Sequence, residues 1–307
     1  MTMQARGMGM TRRELLTFGS TAAAAVVLGG GLAGCATTTR SSQAENATMQ
    51  TLRYGQDPSQ FAELTLPTSA AGPVPVAVVI HGGFWRSAYG LELGRPLVAT
   101  LPGRGWAALN IEYRRVGNGG GYPTTLIDVG AAVDLLADAG MAAAREKGLL
   151  LDLARVVTIG HSAGGQLAVW AASRAGQEAG SPGAAPGVAV SAVVSQAGVL
   201  DLRACARDGL GADAAQAFLE GEPDQVPDRY DEASPIQRLP LGVPSLCVHA
   251  PGDENVPISQ SEKFVAAALA AGDDAELATV DGEHFAVIDP ADPSWTLVLD
   301  WLEGLDR

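Results

Sequence analysis

"RVVTIGHSAGGQLAVWA", residues 155–171, decides how the chain is read. Val156-Val157-Thr158-Ile159 is an apolar, β-branched run, and residues 164–176 read as a helix. Between them stands Gly160-His161-Ser162-Ala163-Gly164, a G-x-S-x-G sequence in the strand–turn–helix setting that the pattern requires. The glycines have a steric task, because the serine backbone in such a turn is strained and bulky neighbours would clash. The turn lifts the hydroxyl off the strand end and leaves it near a helix N-terminus. In a chain with 38 glycines the pattern also arises by chance. The surrounding sequence has to carry the reading.

Outward from the turn, strand and helix signals alternate without a break. Residues 74–83 ("VPVAVVIHGG"), 105–114, 155–160, 188–198, 244–253 and 275–280 read as strands, the first of them buried on both faces. Residues 125–140, 164–176, 259–272 and 294–305 read as helices. This alternation predicts one α/β domain over 56–307, with a mostly parallel central sheet and helices on both faces. Aromatic residues are only 5% of the chain, so its core must be mainly Ala, Val and Leu. Residues 199–238 interrupt the rhythm with one short helix expected at 213–221, and excursions of that length are usually functional. They read as a small cap. Its nine Asp or Glu against four Arg disfavour strongly anionic substrates.

The N-terminus belongs outside the fold. Arg12-Arg13 precedes a weakly apolar Ala/Gly/Val stretch that closes on Leu32-Ala33-Gly34-Cys35. This resembles a bacterial twin-arginine signal ending in a lipoprotein box. The resemblance implies a signal peptide over 1–34, a lipid on Cys35 and anchoring to the cell envelope. Residues 35–55 then read as a flexible polar tether. Net charge is −14, and it becomes −16 once Arg6, Arg12, Arg13 and Glu14 leave with the signal. An acidic chain repels phosphate backbones, which sets against nucleic acid as a partner. Two cysteines remain. A disulfide is open to Cys205 and Cys247 in an oxidising compartment, while Cys247, inside "PSLCVHA", reads as a small buried thiol. No cysteine cluster or calcium-type loop calls for a metal, and no cofactor motif is present.

A second chemical signal is His81-Gly82-Gly83-Phe84-Trp85, at the end of the 74–80 run. A turn with two glycines can aim successive N–H groups into a cleft. With the N–H following the serine, the oxyanion donors would be Gly83, Phe84 and Ala163, each worth roughly 3–4 kcal/mol in the transition state. Phe84, Trp85, Arg86 and Tyr89 cluster beyond it, with Trp85 and Tyr89 as candidate walls of an acyl or aryl pocket. The chain has four histidines. His81 and His161 precede Ser162 and belong to the two motifs. His249 sits in a strand, as buried hydrogen-bonded histidines do. His284, in a loop past the last strand, is the expected base. Asp253, after the penultimate strand, is the expected acid, with Asp201 as its rival. Arg114 and Arg115 read as structural ion pairs and Trp170 as core.

With these residues in view, the chain over about 62–305 resembles an α/β-hydrolase. "HGGFW" resembles the HGGxW motif of the kynurenine formamidase and bacterial esterase branch. "EYRRVGNGGGYPTTLIDV", "GHSAGGQLA" and "ASPIQRL…VPSLCVHAPGDENVPISQSEKF" are similar to that branch and to prolyl-oligopeptidase-like catalytic domains. The resemblance implies Ser162 as nucleophile, Asp253 as acid and His284 as base, acting on a small-molecule ester or amide. The expected activity is a serine hydrolase cleaving small carboxylic esters through an acyl-enzyme, with an aryl-formamidase as the alternative. A catalytically inactive binding lipoprotein would lack a triad member, and none is missing. The N-terminal reading has its own test. Cys35→Ala is expected to leave catalysis unchanged and to move the protein from the membrane pellet to the soluble fraction, because stable anchoring depends on acyl chains. A wild type that is already soluble and uncut in the cytoplasm defeats it.

Overall fold

Along Val74–Ile80, side chains alternate between two apolar layers. Val76, Val78 and Ile80 enter one, while Ala77 and Val79 enter the other. That period of two, apolar on both faces, is what a strand needs at the centre of a three-layer structure. A computed structural model of the chain describes residues 47–305. The expected signal segment and Cys35 lie outside the described residues.

Eight strands form one sheet: β1 (Thr48–Arg53), β2 (Phe61–Leu66), β3 (Val74–Ile80), β4 (Ala107–Ile111), β5 (Leu151–His161), β6 (Ala192–Gln196), β7 (Ser245–His249) and β8 (Ala275–Thr279). Their spatial order is β1-β2-β4-β3-β5-β6-β7-β8. The first two pairings, β1 with β2 and β2 with β4, are antiparallel, and all the others are parallel. The helices are α1 (Arg95–Val98), α2 (Thr124–Asp134), α3 (Ala139–Glu146), α4 (Ala163–Ala172), α5 (Leu202–Arg207), α6 (Ala214–Leu219), α7 (Pro227–Ala233), α8 (Ser259–Ala271) and α9 (Pro293–Gly304). Leu97, Trp295, Val298 and Leu302 bring α1 and α9 onto one face of the sheet. Val129, Leu167, Trp170 and Phe264 bring α2, α4 and α8 onto the other. Cys205 and Cys247 are both buried and unpaired, and burial pushes both thiols up to about 12.

Two expectations need correction. The tether was expected to reach residue 55, but Thr48–Arg53 is an edge strand in register with Phe61–Leu66, with Leu52 buried as its anchor. The cap holds three short helices, α5, α6 and α7, where one was expected.

Register sets the reactive edge. Ile80 lies opposite Gly160, Gly160 opposite Ser195, and His161 opposite Gln196. The carboxyl ends of β3, β5 and β6 therefore finish together, and the connections that follow them emerge at one edge, where sheets of this kind bind ligands.

Trp85 ties the cap to that edge. Its ring stacks on Phe218 of α6 with centroids 4.7 Å apart, and its Nε1–H donates to Gln166 Oε1 at 2.8 Å. Gln166 in turn donates to the Ala233 carbonyl at 2.9 Å. Trp85 is 0% exposed. It is thus a core residue and not the pocket wall expected of it, because a buried indole needs both a ring partner and an acceptor, and the cap supplies the first. Trp85→Ala is expected to cost about 3–5 kcal/mol. The melting temperature should fall, and limited proteolysis should cut within 199–238 before anywhere else. An unchanged melting temperature would contradict this role.

Candidate active site

The β5–α4 turn places Ser162 at φ 57°, ψ −120°, a left-handed backbone that a non-glycine residue adopts only under constraint. The constraint is visible. The Ser162 N–H donates to the Gln196 carbonyl at 2.9 Å, and the Ser162 carbonyl accepts from Gly165 N–H at 2.9 Å and Val199 N–H at 3.2 Å. A Cβ on Gly160 would overlap the Gly164 carbonyl, and one on Gly164 would overlap the Ile80 carbonyl. Both flanking glycines of the motif are therefore there for close backbone approach.

The HGGFW turn lies against this elbow. A Cβ on Gly82 would stand 2.7 Å from the His161 carbonyl and 3.0 Å from Ser162 Cβ. Gly83, Phe84 and Trp85 all have positive φ, at 112°, 51° and 55°. Three such residues in a row curl the turn around Ser162. Glu112, at the end of β4, holds it in place. Its carboxylate meets His81 Nε2 at 3.1 Å, Arg115 at 3.0 Å, and the N–H groups of Tyr113 at 2.9 Å and Leu91 at 3.1 Å. Burial pushes the Glu112 carboxyl up, but the His81 hydrogen bond and the nearby charges hold it below the usual carboxylate range. His81 also stacks on Tyr113 with centroids 4.4 Å apart, and the Tyr113 hydroxyl donates to the His81 carbonyl at 2.7 Å. Sequence reasoning missed Glu112. Its only signal was an acid at a strand end beside two arginines.

Asp253 and His284 meet directly, with Nδ1 2.6 Å from Oδ2 and both residues buried. Burial opposes the Asp253 charge. The neighbouring His249 ring edge and the hydrogen bonds from His284 and the Val256 N–H overcome it and hold the carboxyl well below its ordinary range. His284 is brought to the elbow through its backbone: His161 Nε2 donates to the His284 carbonyl at 2.9 Å, and the two rings lie 4.5 Å apart. Asp201, the rival acid, caps α5 by accepting from Ala204 N–H at 2.9 Å. Arg114 pairs with Asp128 and Arg115 with Glu112, and Trp170 is core, all as expected. Tyr89 is 45% exposed beside Gly83. Phe285, which sequence reasoning left unread, is 56% exposed with its ring 5.2 Å from that of His284. Its signal was position alone, directly after the expected base.

A mostly parallel eight-stranded sheet with helices on both faces and a serine on a strained strand–helix turn is an α/β-hydrolase. More narrowly, the chain belongs to the BD-FAE family, which matches residues 62–268. It is 29% identical over 226 residues to Esterase LipC of Mycobacterium tuberculosis (strain ATCC 25618 / H37Rv), covering 69% of this chain and 53% of that protein. The chain thus spans about half the length of this curated relative. Among solved structures, Esterase B from Lactobacillus Rhamnosis (HN001) superposes with a TM-score of 0.71 at 22% identity, covering 86% of each chain. A truncated carbohydrate esterase from gut microbiota gives 0.69 at 21%, covering 84% of this chain and 95% of that one. At those identities the likeness is one of fold.

The elbow also has a pH signature. Burial, reinforced by repulsion from His284, lowers His161 to about 3. An unfolded imidazole titrates near 6.5, so above that pH His161 contributes nothing to the pH dependence of stability. Below it the unfolded chain binds a proton that the folded one refuses. Stability is expected to drop by on the order of 2–3 kcal/mol between about pH 7 and 4.5, a window above the range where carboxylates titrate. His161→Gln keeps an amide donor without the titration, and melting temperatures across that window should flatten. Parallel wild-type and variant curves would count against the assignment.

Proposed function

We propose that the protein is a serine carboxylester hydrolase that cleaves small esters through an acyl-enzyme on Ser162. The observation that carries this reading is the buried Asp253–His284 contact of 2.6 Å, with the carboxyl kept ionised, at the same edge as the strained Ser162. Membership of the BD-FAE family and the esterase name of the curated relative support it.

In this mechanism Ser162 Oγ attacks the ester carbonyl carbon while His284 Nε2 takes its proton. Asp253 fixes the ring with Nδ1–H toward the carboxylate, so the opposite nitrogen carries the lone pair, and it stabilises the imidazolium that forms. The carbonyl oxygen gathers negative charge and is met by the N–H groups of Ala163 and of Gly83 or Phe84. Collapse of the tetrahedral intermediate breaks the bond to the alkoxy oxygen. That oxygen leaves as an alcohol with the proton from His284. Water then repeats the sequence on the acyl-enzyme and frees the acid and the serine. Tyr89 and Phe285 are the exposed rings nearest these groups, and they form the walls against which an acyl or alcohol group rests. The signal and lipid box, on the same reading, station the enzyme at the bacterial cell envelope.

A panel of nitrophenyl esters of graded chain length, run beside N-formylkynurenine, tests the activity. Faster turnover of the formamide than of every ester would replace esterase with formamidase. Ser162→Ala and His284→Ala should each lower kcat by roughly 10⁶, and together by little more, since such residues act as a unit. Asp253→Asn should cost about 10⁴. A fluorophosphonate probe should label the wild type and not Ser162→Ala. Retention of rate in Asp253→Asn, with loss in Asp201→Asn, would move the acid to Asp201.

A further inference from the structure

Asp253 is held by more than the expected base. Its Oδ1 accepts from the N–H groups of Asn255 and Val256, both at 2.8 Å. Its Oδ2 faces two imidazoles, His284 Nδ1 at 2.6 Å and His249 Nε2 at 3.4 Å. His249 is the last residue of β7 and is fully buried. Its Nε2 also lies 2.9 Å from the Val256 carbonyl. A carbonyl only accepts, so Nε2 carries the proton. On the other side of the ring, Nδ1 is 2.8 Å from Ser261 Oγ on α8, which donates to it in the neutral form.

We infer that His249 is a positioning residue for the acid: its Nε2–H, with the tautomer set by Ser261, binds the carbonyl of Val256, whose own N–H holds Asp253 Oδ1, and this keeps the ring edge against Oδ2 and Oδ2 in line with His284 Nδ1. This rests on reading Asp253 and His284 as acid and base. Asp253 and His284 both sit on loops, one after β7 and one after β8. His249 belongs to the sheet itself and is the fixed point to which the pair is referred. Its contact also shares the negative charge. A carboxylate deprived of a polar N–H edge beside it is the stronger base toward its remaining partner. Without His249, Asp253 therefore holds the His284 imidazolium more tightly, and the acid limb of activity moves to higher pH.

Two other titratable groups against the cluster stay neutral across that limb. His161, against the His284 ring, is lowered to about 3 by burial and the His284 charge, and Cys247 on β7 is pushed up to about 12 by burial. Glu254, Asp281 and Glu283 flank the two loops and are exposed to solvent.

The test compares His249→Leu, His249→Gln, Ser261→Ala and Asp253→Asn in the full chain on one nitrophenyl ester, with pH profiles and circular dichroism. His249→Leu is expected to lower kcat by roughly tenfold, the factor that loss of the neutral hydrogen bond ordering this loop is worth. KM should stay within about twofold, as for an interaction made in the transition state. The acid limb of kcat/KM should rise by about half a pH unit. His249→Gln, which restores an amide donor, should recover most of the rate and the wild-type limb. Ser261→Ala should shift both in the same direction by less. Equal losses in Leu and Gln, or a limb that stays or moves down, overturn the inference. If His249→Leu does not fold, Ser261→Ala decides, and an unchanged rate and limb there overturn it. Loss of activity in Asp253→Asn with none in His249→Leu removes only the role of His249. Near-full activity in Asp253→Asn removes the acid assignment beneath it.

Discussion

The reactive edge depends on how closely three backbone segments approach one another at the elbow. The end of β3, the Ser162 turn and the first turn of α4 meet with no side chain between them, since a Cβ at Gly82, Gly160 or Gly164 would run into a carbonyl of a neighbouring segment. Left-handed backbone at Ser162 costs on the order of 1–3 kcal/mol. What offsets it is α4, buried along its whole length from Ala163 to Ala172. Each large apolar side chain buried there contributes about 1.5–3 kcal/mol, so Leu167, Val169 and Trp170 together outweigh the strain. Ser162 is held by this packing and by the main-chain bonds of its own peptide groups, before any side chain of the site is considered.

The same contact obliges the neighbouring turn to be stiff, and a buried charge does that work. Leaving a carboxylate such as Glu112 unpaired inside a protein is prohibitive, but four donors on two oxygens reverse the balance. Each donor comes from a different place: the HGGFW turn, the backbone at Leu91, the end of β4 and the following arginine. Glu112 thus converts the cost of its own burial into a fixed relation between β4 and the turn proposed to carry the oxyanion donors. On the other side of that turn, Trp85 passes the constraint to the cap through Phe218 and Gln166. The cap is consequently an extension of the site's scaffold.

Most of this architecture was legible in sequence because a parallel sheet writes itself as unbroken apolar runs. β3 and β4, and the apolar end of β5 before Ser162, are such runs, and the strand–turn–helix around Ser162 followed from them. β1 and β2 were not legible. They lie at an antiparallel edge, where Thr51 pairs with Glu63 and one buried acid is matched by Arg95 from another element. A polar strand of that kind looks like linker until its partner is known. Trp85 failed differently, while His249 is the buried, hydrogen-bonded strand residue expected of it. The partner of the Trp85 Nε1–H, Gln166, lies far away in sequence, and composition cannot say which buried polar groups find each other. The cap concealed three helices because α5, α6 and α7 have six or seven residues apiece, too short for a periodicity to register.

On the mechanism proposed above, the four histidines differ in position, and position rather than residue type singles out the base. Both ring nitrogens of His81 are engaged, by Glu112 and the Gly82 carbonyl. Both nitrogens of His249 are engaged, by Ser261 and the Val256 carbonyl. His161 gives Nε2 to the His284 carbonyl and encloses Nδ1 away from every partner, where a proton would meet no counter-charge. His284 differs from all three: Nδ1 is bound to Asp253, while Nε2 is neither bonded to a described residue nor sealed away. A general base needs one nitrogen fixed, so that the tautomer is defined, and the other open to the reacting proton. Among the described residues only His284 meets both conditions, and it does so because the other three rings are spent on holding the structure around it.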